Sequence, residues 1–253
     1  MTDESVAEAR QQLLNDATFI DNLKAEIAAA IMDDISQFKA LREAIALNLD
    51  ELMNDANCFT LSEAVDGAGK DYQSIFGIIV GTGFGGALSY KKEIIEGANQ
   101  IAGDWGHQPL PYPTKEEIET KINCPSMNCG RPLCAEQFMS GIGFKDVFNQ
   151  KHKTSFTSEE IVKLDLDGDP RANSELSLYE DRMARLLAVM IGIFDPDAII
   201  LGGGMSNIDR FYINIPTLIP KYTFSNKVKT KVLKNFHGDS SGVRGAAWLW
   251  NNV

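Results

Sequence analysis

Two short apolar runs, each ending in glycines, place the strongest constraint on how this chain can fold. The first is FGIIV at 76–80, followed by GTGFGG, and the second is AIIL at 198–201, followed by GGG. Runs of this length and composition are typical of strands buried on both faces. An apolar-periodic helix is predicted over 174–194, where Asp195 and Pro196 end it. The sequence beyond residue 54 therefore predicts an α/β fold.

Other local patterns complete this α/β prediction. Strands that continue a meander are predicted at 87–90 and 93–96, and a helix at 134–151. Thr157 or Ser158 is predicted to cap the helix of TSEEIVKL. A final helix is predicted after the glycines of SSGVRGAAWLW.

The first fifty residues differ in character from the rest. Residues 5–49 contain no proline or glycine, and their apolar residues recur at helical spacing, which predicts one or two amphipathic helices. This segment is acidic, whereas a membrane-surface helix favours lysine and arginine. The chain has no apolar run long enough to span a bilayer, and its polar start, MTDESVAEARQQ, does not resemble a secretory signal. We therefore expect a cytoplasmic protein without a membrane partner.

The net charge limits the classes of ligand. A value of −11 argues against a general nucleic-acid binder, which needs a basic surface. Phosphate ligands remain compatible with this charge, because backbone N–H groups can bind them without charged side chains.

The two glycine segments allow different interpretations. Glycines in GTGFGG let the backbone approach phosphate oxygens, but a strand rather than a helix is predicted next, so this is no dinucleotide-binding fingerprint. Taken alone, the segment favours a glycine-rich hairpin. GGGMSN at 202–207 follows a buried strand, at the position where open α/β sheets bind ligands. Ligand binding and tight strand-to-helix packing explain this second segment equally well.

Asp55 in NDANCF, at 54–59, has two interpretations. Asn54 or Asp55 can cap the helix predicted to follow. Asp55 can also act as a general base if an alcohol proton comes within hydrogen-bonding reach. From this residue alone, capping is favoured.

Three of the four cysteines lie in CPSMNCGRPLC, at 124–134. In a reducing compartment such a cluster favours metal binding or redox chemistry over disulfides. His107, in GDWGHQPLP, completes a tetrahedral zinc set with Cys124, Cys129 and Cys134, and four protein ligands would make the zinc structural. The alternative is an ordinary buried histidine beside reduced thiols. His152 and His237 have no partners at ligand spacing, and solvent-facing or capping roles are expected for both.

Taken in order, the motifs resemble those of the ROK family of sugar kinases and related repressors. The resemblance rests on NDANCFTLSEAVDG, IIVGTGFGGAL, GANQIAGDWGHQPLP, CGRPLCAEQFMSG, DPDAIILGGGMSN and HGDSSGVRGAAWLW, and it runs from about Asn54 to Trp250. Within the family the sequence most resembles bacterial fructokinase, with N-acetylglucosamine kinase next. The resemblance implies an actin-like ATPase (ribonuclease H-like) C-terminal lobe over 51–253, with a zinc loop at about 104–136. Residues 1–50 are predicted to be a helical segment that does not resemble the family's motifs.

The resemblance also implies an activity and its residues. An ATP-dependent transfer of a phosphoryl group to a hexose, with Mg²⁺ bound to ATP, would use Asp55 as the general base. The implied sugar-binding residues are Asn54, Asp104, His107 and Glu136. The implied ATP-binding residues are Gly81, Thr82, Gly83 and Gly85 on the phosphate side and Gly202, Gly203 and Gly204 on the adenosine side. A structural Zn²⁺ bound to the four-residue set would fold the loop, and a homodimer is implied.

The sequence departs from the family pattern at three places. Asp104 stands where the family has a glutamate, and Met127 stands where it has the first zinc cysteine, so Cys124 would have to replace that ligand. The family's opening D-x-G-G-T-K phosphate loop has no counterpart in this sequence. A non-catalytic binding or assembly protein is therefore the alternative to a kinase. A repressor is less favoured, because residues 4–52 are acidic and contain no basic recognition helix.

Overall fold

The computed structural model describes residues 54–120, 123–125, 129–225, 227–238 and 241–248. Asp55–Trp248 forms one compact unit. The second unit, Met1–Asn54 with Leu249–Val253, lies outside the described residues except for Asn54. The helices predicted in the first fifty residues and Met127 also lie outside the described part of the chain. No described helix is long and apolar enough to cross a membrane.

The described residues contain a five-stranded mixed sheet in the order β3-β2-β1-β4-β5. β1 pairs with β2 in antiparallel fashion, as β2 does with β3, whereas β1 pairs with β4 in parallel, as β4 does with β5. The strands are β1 Ser74–Val80, β2 Phe84–Tyr90, β3 Glu93–Ile94, β4 Ala198–Gly202 and β5 Lys231–Lys234. The predicted strands are confirmed, although β2 starts three residues earlier than predicted and β3 ends two residues earlier. β5 was not predicted.

The helices surround this sheet. They are α1 Asp55–Val65, α2 Lys115–Glu119, α3 Ala135–Met139, α4 Gly141–His152, α5 Ser158–Leu166, α6 Pro170–Phe194, α7 Arg210–Leu218 and α8 Ser241–Trp248. Thr157 caps α5 with a full capping box, and α6 ends before Asp195, both as predicted. The single helix predicted at 134–151 is wrong, because Ser140 has an extended backbone and caps α4 by accepting a 3.0 Å hydrogen bond from the amide of Gly143. α8 begins at Ser241, before the glycine rather than after it.

Both faces of the sheet are buried, as the apolar runs predict. Alternate residues of β1, namely Phe76, Ile78 and Val80, face a large core that includes α3, α4 and α6. On the opposite face Ile75 packs with Phe59 of α1 in a smaller cluster. The sheet therefore forms the middle layer of the unit.

Two glycines let α1 lie directly against the sheet. A Cβ on Gly77 of β1 would lie 2.0 Å from Oγ1 of Thr60, and one on Gly202 of β4 would lie 2.4 Å from the ring of Phe59. Just after the helix, Gly69 meets Ile75 near the start of β1. α1 therefore runs opposite to β1 and β4, and its N-terminus points beyond their carboxyl ends.

Candidate functional site

The two glycine segments meet at the carboxyl edge of β1 and β4. GTGFGG forms the turn between β1 and β2 and the first residues of β2, and a 3.0 Å hydrogen bond from the amide of Gly81 to the carbonyl oxygen of Gly83 closes the turn. The hairpin interpretation is therefore confirmed. Gly203 has a φ of 80°, and a Cβ on it would lie 2.6 Å from the carbonyl oxygen of Val80. Close backbone packing thus explains Gly203, just as contact with the ring of Phe59 explains Gly202.

Packing does not explain every glycine along this edge. An added Cβ on Gly81, Gly85 or Gly204 would have no described atom within 4 Å. The same test on Gly83 finds only Oε1 of Glu136, at 3.6 Å, among described atoms, and Thr82 is exposed. The backbone is therefore accessible at several adjacent points, as a ligand that binds through main-chain groups requires.

Asp55 lies at the same edge of the sheet. It is the first residue of α1, whose N-terminus points past the ends of β1 and β4, and its side chain is exposed. Its Oδ1 accepts a 3.1 Å hydrogen bond from the neighbouring amide of Ala56. An exposed carboxylate in this position is available to a hydroxyl group of a ligand. Asn54 is also exposed, and its predicted contact with a sugar stays a prediction.

Three of the predicted sugar-binding residues come together beside the hairpin. Oε2 of Glu136 lies 3.2 Å from Nδ1 of His107. Burial raises the pKa of Glu136 above its usual value, the charge of Asp104 raises it further, and His107 opposes both effects. Glu136 is only 8% exposed, whereas Asp104 is exposed. Because Glu136 also faces Gly83, this group of three side chains adjoins the glycine hairpin.

The four predicted metal ligands form a cluster. One ligand atom from each of His107, Cys124, Cys129 and Cys134 lies within 4.8 Å of the others. Nδ1 of His107 is 3.5 Å from Sγ of Cys134 and 3.9 Å from Sγ of Cys124, and the sulfurs of Cys129 and Cys134 are 3.6 Å apart. A tetrahedral zinc ion with bonds of about 2.1–2.3 Å places its ligand atoms about 3.7 Å apart. The donor set therefore fits a four-coordinate zinc ion, whose binding stays a prediction.

The environment of the cluster shifts the pKa values of two of its thiols in opposite directions. Burial raises the pKa of Cys134, and the neighbouring sulfurs of Cys124 and Cys129 raise it further. The backbone amide of Arg131 lowers the pKa of Cys129. A buried thiolate beside other sulfurs needs a cation to become stable, and a bound metal supplies that charge.

A buried ion-pair group joins the segment that carries α2 to α6. The guanidinium of Arg185 donates 2.9 Å hydrogen bonds to the carbonyl oxygens of Pro111 and Tyr112, and it also contacts Glu117 at 2.7 Å. Arg182 donates to the same carboxylate at 2.8 Å. Sequence reasoning missed this group, because its partners lie more than sixty residues apart and carry no local motif.

The expectation for His237 needs correction. Its Nε2 lies 2.9 Å from Oδ1 of Asp66, just beyond the end of α1, and Arg244 of α8 contacts the same carboxylate. His237 therefore belongs to an ion-pair group between α1 and the C-terminal helix, rather than having a solvent-facing or capping role. The residues are more than 170 positions apart in the sequence, so no spacing signal indicated the pair.

The sheet and the site define a class of protein. Three antiparallel strands followed by two parallel ones, in the order β3-β2-β1-β4-β5 with helices on both faces, form the actin-like ATPase fold. In this fold the glycine segments and Asp55 occupy the carboxyl edge, where open α/β sheets bind ligands. The chain belongs to the ROK family, whose model matches residues 15–253.

Two curated relatives are similar over most of the chain. The N-acetyl-D-glucosamine kinase of Pectobacterium carotovorum is 35% identical over 235 residues, which cover 93% of this chain and 75% of that protein. The N-acetyl-D-glucosamine kinase of Vibrio atlanticus is 36% identical over 207 residues, which cover 82% and 68%. The finer resemblance to fructokinase finds no support in these two names.

Two solved structures support the fold. A ROK hexokinase from Thermus thermophilus matches with a TM-score of 0.69 and 23% identity, over 84% of this chain and 70% of that chain. A ROK family glucokinase from Streptomyces griseus, in complex with glucose and AMPPNP, also matches with a TM-score of 0.69, at 22% identity, over 83% and 71%.

Proposed function

We propose that this protein transfers the γ-phosphoryl group of ATP to a hydroxyl group of a hexose. The observation that carries the proposal is the arrangement at one edge of the sheet. There, an exposed carboxylate (Asp55) and two accessible glycine segments lie at the carboxyl edge, and the group of Asp104, His107 and Glu136 adjoins the hairpin. The names of the curated relatives support the same activity.

The chemistry follows from positioning and electrostatics. The polar groups of Asp104, His107 and Glu136 would bind sugar hydroxyls and orient one of them toward ATP. Asp55 would accept the proton of the attacking hydroxyl, a role that needs only hydrogen-bonding reach and an exposed carboxylate. Backbone amides of the hairpin, residues 81–86, would bind the phosphates, and the GGG segment would line the adenosine side through its exposed residue, Gly204. Mg²⁺ bound to ATP would neutralise the phosphate charge.

The metal cluster would have a supporting role in this proposal. His107, Cys124, Cys129 and Cys134 would hold one structural zinc ion, because four protein ligands leave no open position for catalysis. His107 belongs to both the metal cluster and the sugar-binding group, and Glu136 follows the ligand Cys134 by two residues. The ion would therefore fix the geometry of the sugar contacts.

For the substrate we propose N-acetylglucosamine before fructose. The relatives that match most of this chain are named for the first sugar. The motifs that resemble fructokinase favour the second, so both sugars need to be compared. Asp104 is one methylene shorter than the glutamate of the family pattern, and it would leave more room beside the sugar. The predicted homodimer stays a prediction that a molar mass measured in solution can test.

The test is a coupled assay of ADP release with Mg–ATP and one sugar at a time. We expect sugar-dependent turnover on the order of 1–100 per second with the preferred sugar. Faster turnover with fructose than with N-acetylglucosamine would reverse the substrate assignment. Calorimetric sugar binding without ADP release above background would refute the kinase proposal and favour the non-catalytic binding protein.

A further inference from the structure

Trp105 lies between the glycine hairpin and the sugar-side segment. Its ring centroid is 5.0 Å from that of Phe84, the first residue after the GTG turn, and 4.8 Å from that of Phe76 in β1, in an edge-on arrangement. The side chain is only 6% exposed. In the sequence Trp105 follows Asp104 directly and precedes His107 by two residues. The buried ring of Trp105 therefore contacts the hairpin, and it belongs to the segment that carries two predicted sugar-binding residues, Asp104 and His107.

The backbone on either side of Trp105 packs directly against the backbone of β2. A Cβ on Gly103 would lie 2.7 Å from Cα of Ala87, and a Cβ on Gly106 would lie 1.8 Å from the carbonyl oxygen of Phe84. No side chain therefore separates this segment from the strand. Because interiors are close-packed and transmit strain, a shift of the hairpin must displace Trp105 and its neighbours with it.

Hydrogen bonds also attach the segment that carries Glu136 to the segment around Trp105. The amide of Glu136 donates a 2.8 Å hydrogen bond to the carbonyl oxygen of Gly106, and the amide of Ala135 donates one of the same length to the carbonyl oxygen of Gln108. The segment around Trp105 thus holds Glu136 as well as Asp104 and His107. The segment around Trp105 therefore connects all three sugar-side residues to the hairpin.

No described residue holds the ring of Trp105 through its indole nitrogen. Nε1 is buried and has no hydrogen-bond partner among the described residues. Buried tryptophan N–H groups usually find a partner, and leaving one unsatisfied is costly. The ring therefore acts through its shape and its aromatic contacts, so phenylalanine can replace it in this role.

We propose that Trp105 is a positioning residue that couples nucleotide binding at the hairpin to sugar binding at Asp104, His107 and Glu136. This inference rests on the proposed function. A nucleotide that orders the hairpin would also order the sugar-side segment, so each ligand would tighten the binding of the other by the same factor.

The test measures the dissociation constant of N-acetylglucosamine by calorimetry, without and with saturating Mg–AMPPNP. We expect the analogue to tighten sugar binding to the wild-type protein by about tenfold, within the usual range of coupling between sites. In Trp105→Leu we expect this ratio to fall to about one, and in Trp105→Phe we expect about the wild-type ratio, by the coupling argument above. Phe148→Leu is the matched control: Phe148 is a fully buried ring that packs with His152 and Phe156, so the variant should keep the ratio.

The outcomes separate the two proposals. Trp105→Leu with the wild-type ratio would overturn the coupling role. If that variant fails to fold, Phe84→Leu removes the partner ring, and a wild-type ratio in that variant would overturn the role equally. A wild-type protein that binds both ligands with no mutual effect refutes the coupling alone. One that binds neither ligand refutes the proposed function and the coupling together.

Discussion

The hydroxyl group of Ser241 donates a 2.7 Å hydrogen bond to Oε1 of Glu63, a residue of α1 with no exposed surface. The same carboxylate accepts hydrogen bonds from the backbone amides of Ala68, Phe236 and His237, at 2.8, 3.0 and 3.3 Å. No cation contacts it among the described residues, so dipolar groups alone compensate its burial. These bonds attach the C-terminal segment to the helix that carries Asp55 at its other end.

Removing the Ser241 hydroxyl should destabilise the protein without touching the proposed site. We expect Ser241→Ala to lower the free energy of unfolding by about 1.5–3 kcal/mol, the usual loss for a hydrogen bond to a charged group. Urea denaturation measures the change. Thr217→Ala, which removes an exposed hydroxyl of α7, is the control and should stay within about 0.5 kcal/mol of wild type. Equal stability of the two variants would contradict this account of Glu63.

Asp55→Asn tests the general base. We expect turnover to fall by about 10²–10⁴-fold, because an amide cannot accept the hydroxyl proton. The melting temperature should not change, since the Asp55 side chain is exposed, and the affinity for the sugar should be close to that of the wild type. ADP release and sugar calorimetry on the same preparation give both quantities. Full turnover in the variant would disprove the assignment.

Removing one thiol of the cluster tests the metal site. We expect elemental analysis to find about one zinc ion per wild-type chain, and much less in Cys124→Ser and Cys134→Ser, because three ligands bind the ion more weakly. Sugar affinity should fall in parallel, since the ion fixes the segment that carries His107 and Glu136. Cys58→Ser is the control, because Cys58 lies in α1 outside the four-residue cluster. Wild-type protein without zinc after purification without chelators would contradict the prediction.

Much of the fold could be predicted from local sequence. β1 and β4 are continuous apolar runs, so burial alone identifies them, and Thr157 with Glu160 shows the reciprocal pattern of a capping box. β5 has the sequence KVLK, with an exposed lysine at each end. Because this strand at the edge of the sheet has so short an apolar run, local sequence does not predict it. The break between α3 and α4 depends on one serine cap that competes with helical continuation.

The candidate site likewise contains features that local sequence could predict and features that it could not. The cysteine cluster and His107 could be proposed because zinc ligands recur at short spacings in the chain. The bonds from Glu63 to Phe236 and Ser241 and the Asp66–His237 pair could not, because they join residues more than 170 positions apart and have no local pattern. The role of Trp105 also needed the structure, since its contacts with Phe76 and Phe84 arise only when the hairpin has formed.

The Glu117 carboxylate should make stability depend on pH in the acid range. Burial alone would raise the pKa of Glu117, but hydrogen bonds from Arg185, from the amide of Thr114 and from Arg182 outweigh it and lower the pKa from 4.5 to about 2. A lowered folded-state pKa contributes stability above the unfolded value, and that contribution is lost as pH falls from 4.5 toward about 2. At neutral pH the urea midpoint of the wild-type protein should therefore be higher than that of Glu117→Gln. The difference between the two midpoints should shrink below pH 4.5.

The control for this prediction is Glu119→Gln. Glu119 is exposed and pairs with Lys115 at 3.9 Å, and exposed pairs contribute little. Its urea midpoint should follow that of the wild type across the whole pH range. A Glu117→Gln difference that stays constant from neutral pH to about 2 would show that the carboxylate is not held ionised by Arg182 and Arg185.

Gly81→Ala separates a ligand-binding role of the hairpin from a packing role. A Cβ at Gly81 would meet no described atom within 4 Å, so the free energy of unfolding should change by less than about 0.5 kcal/mol. The added methyl group would stand beside backbone that the phosphates of ATP are proposed to approach, and we expect the KM for ATP to rise. Gly86→Ala should instead destabilise the protein. Its Cβ would lie 2.8 Å from the ring of Phe76, so the free energy of unfolding should fall by about 1–3 kcal/mol. An unchanged KM for ATP in Gly81→Ala would argue against phosphate binding at this turn.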